Sequence, residues 1–244
     1  MGMISDNLQR LHSQIAAACA DCGRNTNEVT LLAVSKTFGA DAVRQAYAAG
    51  QRAFGENYIQ EGVDKIAQLA DLPQLVWHMI GPIQSNKTRL VAENFAWVHS
   101  IDRYKTAQRL SEQRPAQLAP LQVCLQVNID GGANKSGVAP DELMALALQV
   151  SQLPQMQLRG MMVIPEPAIN LAAARAVFTR TYEVFSTLKS LYPQVDTLSM
   201  GMSSDMAAAV QHGSTNGLGI GTANVGHIVA LPQGAVFANA IPCL

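Results

Sequence analysis

The sequence predicts an α/β fold, a single (β/α)8 barrel. Eight short, near-continuously apolar runs punctuate the chain, and helix-length amphipathic segments separate them. Strands this apolar need cover on both faces, which a parallel sheet wrapped in helices supplies, and the number eight favours a closed ring over an open doubly wound sheet. No composition shift and no long Pro/Gly/Ser linker divides the 244 residues, so 1–244 reads as one domain.

The elements follow in order. An N-terminal helix within residues 1–28 places Ile4, Leu8, Leu11, Ile15, Cys19 and Cys22 on one face. The first strand is "TLLAVSK" (30–36), and the helix around "DAVRQAYAAG" stops at Gly50, a residue that tolerates the left-handed conformation of a helix end. Further strands are expected at "RAFGEN" (52–57), "LVWHMIG" (75–81), "AWVHSID" (96–102), "QVCLQVNI" (122–129), "LRGMMVIP" (158–165), "DTLSMGMS" (196–203) and "LGIGTANVG" (218–226). Between them lie helical segments such as "EGVDKIAQLA", "PDELMALALQVSQL" and "ARAVFTRTYEVFSTLKSL".

With 48% hydrophobic and 14% charged residues the chain can bury a large core, and neither disorder nor a coiled coil fits. Seventeen basic residues against 18 acidic give a formal net charge of −1, which leaves no broad basic surface for nucleic acid or anionic lipid. The opening "MGMISDNLQR" lacks the basic-then-apolar order of a secretory signal, and no clean apolar run reaches the roughly 18 residues of a membrane span. A cytoplasmic protein with a small-molecule partner is expected. Four cysteines suit a reducing compartment. The C-x-x-C formed by Cys19 and Cys22 has no second cysteine or histidine pair at metal spacing, and it reads as thiols on the buried face of the first helix.

In a closed barrel the chemistry sits at the C-terminal ends of the strands. Lys36, Asn57, the His78 region, Ser100, Asp102, Asn128, Ser203, Gly221 and Thr222 all fall there. Singly, several have ordinary readings: His78 as a hydrogen-bonded core histidine, Asn57 as a strand-end cap, Asp102 as the N-cap of a helix starting near Arg103. Their convergence is what points to a site. Lys36 stands apart, because an ammonium ending a buried strand is costly unless it is paired or neutralised. A Schiff base accounts for it: desolvation lowers the amine pKa, and the neutral amine attacks an aldehyde.

The glycine-rich stretches beyond Ser199 supply the second signal. "SMGMSSDM" places Ser203 between a strand and a helix start, and "GIGTANVG" offers backbone amides at Gly221 and Thr222 near the last strand. Loops after strands 7 and 8 of such barrels often bind phosphate through free N–H groups. Together with Lys36, this reads as a phosphorylated aldehyde held at both ends, for which pyridoxal 5′-phosphate is the candidate.

The stretches "LLAVSKT", "FGENYIQEGVDKI", "WHMIGPIQSNK", "HSIDR", "VNIDGGANKSGV", "LRGMMVIP" and "LSMGMSSDM" with the following "GST" resemble the pyridoxal phosphate homeostasis proteins over roughly residues 5 to 216. The resemblance implies a fold-type III barrel like the N-terminal part of alanine racemase. It also implies that Lys36 binds the cofactor as an internal aldimine, that Asn57 lies beside it, and that Ser203 with the Gly221 and Thr222 amides holds the phosphate. No established turnover comes with the family. The expected role is intracellular cofactor buffering or delivery by a monomer, with apo-enzymes that use the cofactor as further partners. The alternative is a racemase or decarboxylase acting on amino acids, and a cofactor-free Schiff-base aldolase is a third reading. A racemase needs a second acid/base group opposite the lysine, which in relatives comes from a tyrosine on a further β-domain. Too few residues follow the eighth strand for such a domain, and Tyr47, Tyr58, Tyr104, Tyr182 and Tyr192 fall in expected helices or loops rather than at strand ends.

The chain departs from the family pattern near its end. "GSTNGLGIGTANVG" is one residue longer than the family segment and has Gly219 where an arginine would stand, and residues 206–244 contain no Asp, Glu, Lys or Arg, so 227–244 forms an atypical uncharged tail. A guanidinium contact to phosphate contributes roughly 1.5–3 kcal/mol, so a more readily exchanged cofactor is expected.

Overall fold

The computed structural model describes residues 3–132, 135–166, 170–201 and 206–213, with the backbone of 227–230. Helix α1 (Met3–Asp21) buries Leu8, Leu11, Ile15, Ala18 and Cys19, which recur at helical spacing along one face. It ends at Gly23, whose φ of 68° a side chain would resist. Cys19 is buried on that face as expected, whereas Cys22 is half-buried and donates to the Ala18 carbonyl oxygen at 3.1 Å. Among the described residues no cluster of His, Cys, Asp and Glu is arranged to hold a metal ion.

After a 3-10 turn capped by Asn25, strands and helices alternate. They run β1 (Val29–Val34), α2 (Ala40–Ala48), β2 (Ala53–Glu56), α3 (Ile59–Gln68), β3 (Val76–Met79), α4 (Thr88–Asn94), β4 (Trp97–Ile101) and α5 (Tyr104–Gln113). The second half runs β5 (Leu121–Val127), α6 (Leu143–Ser151), β6 (Met156–Val163), α7 (Leu171–Leu191), β7 (Thr197–Ser199), α8 (Met206–Gln211) and β8 (His227–Ala230). The first seven strands match the expected runs to within a few residues and pair in sequence order, each parallel to the next.

The sheet sorts its side chains into two layers, as the two-residue period of a strand requires. Leu32, Val34, Ala53, Val76, Ile80, Trp97, Cys124 and Met162 form a small inner cluster. Leu31, Ala33, Phe54, Val98, Leu125, Met161 and Leu198 join the larger outer core beneath the helices. Burial on both sides explains why these strands read as continuous apolar runs rather than alternating ones.

Of the expected barrel, the described residues show the parallel part of the sheet. The described sheet is a half-barrel of seven parallel strands, edged beyond β1 by β8, which runs antiparallel with His227 level with Leu32 and Ala230 level with Val29. The expected eighth strand at 218–226 lies outside the described residues. Helix α1 packs against both α2 and α8. No helix among the described residues is long and apolar enough to cross a membrane.

One feature of α1 responds to pH. Burial holds the His12 imidazole down at about 4, and its Nδ1 has no hydrogen-bond partner. Because the folded value lies below the ordinary one, the unfolded chain binds more protons between the two, and stability falls as pH drops from about 6.5 towards 4. Urea midpoints at near-neutral pH and at about pH 5 should therefore differ less in His12→Gln than in the parent protein. An unchanged pH slope would mean that His12 binds protons equally in the folded and unfolded states.

Candidate functional site at the strand ends

The register between β1 and β2 builds the first part of the site. Ala33 is level with Phe54 and Val34 with Gly55. Just beyond this pair, the Ser35 hydroxyl donates to Glu56 Oε1 at 2.5 Å and ties the two strand ends together. Lys36 and Asn57, each two residues beyond the paired Val34 and Gly55, follow just after these two strand ends.

Asn57 is half-buried, and its Oδ1 is a buried acceptor with no hydrogen-bond partner. Its backbone is closely approached by Gly81, where an added Cβ would stand 2.2 Å from the Asn57 carbonyl oxygen. Only glycine fits there. Ser100, at the end of β4, donates to the Gly81 carbonyl oxygen at 2.6 Å and ties the third and fourth strand ends together. Across the mouth, Asn128 donates from Nδ2 to the Gly132 carbonyl oxygen at 2.8 Å, and its Oδ1 is a second buried acceptor without a partner.

Lys36 corrects one expectation. Strand β1 ends at Val34, Ser35 is buried, and Lys36 is exposed in the turn that follows. The packing of the protein itself therefore does not desolvate this amine. The buried lysine is instead Lys65 on α3, 5% exposed at its side chain. Its Nζ donates to Glu56 Oε1 at 2.7 Å, to Glu61 Oε1 at 2.7 Å and to the Ser35 carbonyl oxygen at 2.5 Å. Burial pushes the Glu56 carboxyl above the usual range, against the pull of the hydrogen bonds from Lys65 and Ser35. Two sequence signals mark this cluster: a carboxylate ending the four-residue strand "AFGE", and the i, i+4 spacing of Glu61 and Lys65.

His78 lies one layer below the mouth, inside β3. Its Nδ1 is 2.9 Å from His99 Nε2, whose ring Nδ1 is 3.2 Å from Ser199 Oγ, and Trp97 stacks on it with ring centroids 5.3 Å apart. The expected core histidine is thus part of a buried polar chain spanning β3, β4 and β7, of which His99 and Ser199 were not anticipated. Asp102 does not cap α5; Arg103 occupies that position, and the Asp102 carboxylate lies 3.4 Å from its guanidinium. Tyr58 and Tyr104 stand at the starts of α3 and α5, close beyond β2 and β4, and both are exposed. Ser203, Gly221 and Thr222 lie outside the described residues.

Residues 7–228 match the family model described as alanine racemase, N-terminal domain. The pyridoxal phosphate homeostasis protein of Pseudomonas aeruginosa is 57% identical over 226 residues, covering 93% of this chain and 96% of that protein. That of Escherichia coli K12 is 51% identical over 228 residues, covering 93% and 97%. Among solved structures, PipY of Synechococcus elongatus, determined with PLP bound, aligns with a TM-score of 0.75 at 40% identity over 87% of this chain and 95% of that one. The chain therefore belongs to the alanine racemase N-terminal domain family, among the pyridoxal phosphate homeostasis proteins.

Proposed function

We propose that this chain binds pyridoxal 5′-phosphate at the strand-end mouth, with Lys36 as the amine for its aldehyde, and that it buffers or delivers the cofactor. The observation that carries the reading is that Lys36 and Asn57 follow the ends of the adjacent, paired strands β1 and β2, one a primary amine and the other a buried amide oxygen lacking a donor. The residues present suit the group: when bound, it supplies an aldehyde to the amine, a ring nitrogen and hydroxyl to polar neighbours, and a phosphate to backbone amides. In this reading Asn57 orients the ring, and Ser203 with Gly221 and Thr222 takes the phosphate. The relatives' names and the PLP in PipY support it.

Exposure of Lys36 favours a carrier over an enzyme. Active sites that turn over reactive intermediates exclude water, whereas an amine open to solvent lets a bound aldehyde exchange. Tyr58 and Tyr104 are the tyrosines nearest the strand ends, and their exposure offers no fixed proton donor for a racemase. The same reading takes the whole chain as one fold-type III domain, monomeric and cytoplasmic, with apo-enzymes as recipients.

Loading the protein with pyridoxal 5′-phosphate and reducing with borohydride should fix one cofactor on Lys36, found by peptide mass mapping, and the loaded protein should show a visible absorbance band. Lys36→Ala should lose both the band and the adduct. Retention of the same adduct in Lys36→Ala would overturn the assignment, and a colourless parent protein would favour the cofactor-free aldolase.

A further inference from the structure

Three groups on α3 and β2 surround the turn that carries Lys36 without belonging to the mouth. Glu61 Oε1 accepts the Thr37 backbone N–H at 2.6 Å, on the C-terminal side of Lys36. Lys65 Nζ donates to the Ser35 carbonyl oxygen at 2.5 Å, on the N-terminal side. Glu56 joins the two by accepting from Lys65 and from the Ser35 hydroxyl.

The turn needs such a brace. Thr37 has a φ of 66°, in the left-handed region that a β-branched residue strongly resists. A backbone outlier of this kind costs on the order of 1–3 kcal/mol and persists only where its surroundings over-determine it. Here the surroundings are the turn's own hydrogen bond from the Phe38 N–H to the Ser35 carbonyl oxygen at 3.0 Å, the Lys65 ammonium on that same carbonyl, and a short bond from Thr37 N–H to the Glu61 carboxylate, itself fixed by the same ammonium. The ion pair is hard to explain as a source of stability. Replacing a buried pair by apolar residues is often neutral or stabilising, because desolvating both charges offsets their attraction. What the pair does supply is a fixed direction for two backbone groups flanking one side chain.

We propose that Glu61, Lys65 and Glu56 are positioning residues that hold the Ser35–Thr37 turn in its strained conformation, so that the Lys36 amine is aimed at the mouth before any ligand arrives. The proposal rests on the reading of Lys36 as the cofactor's anchor. It makes cofactor affinity depend on α3, whose carboxylate and ammonium reach Lys36 only through the backbone on either side of it. Pre-organisation of this kind raises affinity by removing the ordering cost from the binding step.

Glu61 is the residue to test, because its side chain is 30% exposed and its removal leaves the buried Glu56 and Lys65 paired. Titrating pyridoxal 5′-phosphate into apo-protein and following the absorbance band, Glu61→Ala should weaken binding roughly tenfold, the scale of one lost hydrogen bond to a charged group. Glu61→Gln, which keeps an acceptor for the Thr37 N–H, should recover to within about twofold. The same titration in a Lys36→Ala background, followed by equilibrium dialysis, separates positioning from general damage. Acting through Lys36, the Glu61→Ala change should cost nothing further there. Parent-like binding by Glu61→Ala, or an equal loss in the Lys36→Ala background, would overturn the proposal while leaving the Lys36 adduct intact. Parent-like binding and an unchanged adduct in Lys36→Ala alone would instead overturn the anchor reading, and the brace with it.

Discussion

Gly160→Ala is expected to destabilise the fold by more than about 4 kcal/mol, a loss beyond the usual range for a single substitution. Gly160 sits in β6 directly beside Thr197 of β7. A Cβ built there would lie 1.6 Å from the Thr197 carbonyl oxygen and 2.6 Å from its carbonyl carbon. Neither atom belongs to a side chain that can rotate away. Relief would require the two strands to separate, which would break the ladder joining Gly160, Met161 and Met162 to Thr197, Leu198 and Ser199. Overpacking against side chains typically costs about 1–3 kcal/mol, and a clash between two backbones at a strand junction has fewer ways out. Since a domain's whole stability is roughly 5–15 kcal/mol, most of it is at stake. Urea unfolding followed by circular dichroism measures the effect. A midpoint close to the parent's would show that β7 can shift sideways without loss. The consequence reaches the site, because Ser199 in the same strand contacts the His99 ring and β7 leads into the stretch containing Ser203.

How far the sequence spoke for the structure differs from element to element, for physical reasons. Continuous apolar runs located the first seven strands, since burial on both faces leaves no polar alternation to confuse with a helix. Lys36 and Asn57 were legible as strand-end residues for the same reason. The exposure of Lys36 was not, because "SKTFG" offers no glycine or proline at the turn itself and Thr37 adopts a backbone conformation that its type disfavours. Lys65 was hidden differently. Helix α3 reads as an ordinary amphipathic helix, and a lysine on it reads as solvated until a carboxylate from the neighbouring strand is known to lie beneath it. The direction of β8 left no mark at all in "HIVA". Such pairings depend on contacts between segments far apart in the chain, and residue pattern alone does not encode them.

Arg159 and Asp196 belong to that class, and breaking their pairing is the second large effect expected. Arg159 is the fourth residue of β6 and Asp196 immediately precedes β7. Here they form a bidentate ion pair, with Arg159 7% and Asp196 11% exposed at their side chains. Arg159 also donates to Gln122 Oε1 at 2.7 Å and lies over the Trp97 ring at 5.3 Å from its centroid, while Thr197 Oγ1 donates to Asp196 Oδ1 at 2.7 Å. The cluster thus links β4, β5, β6 and the start of β7 at the end of the sheet opposite the mouth. Asp196→Ala removes the carboxylate of this buried pair and leaves the guanidinium behind, a change that typically costs about 3–5 kcal/mol. The double variant Arg159→Met/Asp196→Ala removes both charges, and an apolar stem can still pack on Trp97. It should therefore recover a large part of the loss, because the desolvation of both ions is removed together with their attraction. Urea midpoints of the parent, the single variants and the double variant form the test. A double variant as unstable as Asp196→Ala would show that the hydrogen bonds of Arg159 to Gln122 and its contact with Trp97, rather than the balance of charge, hold the base of this sheet together.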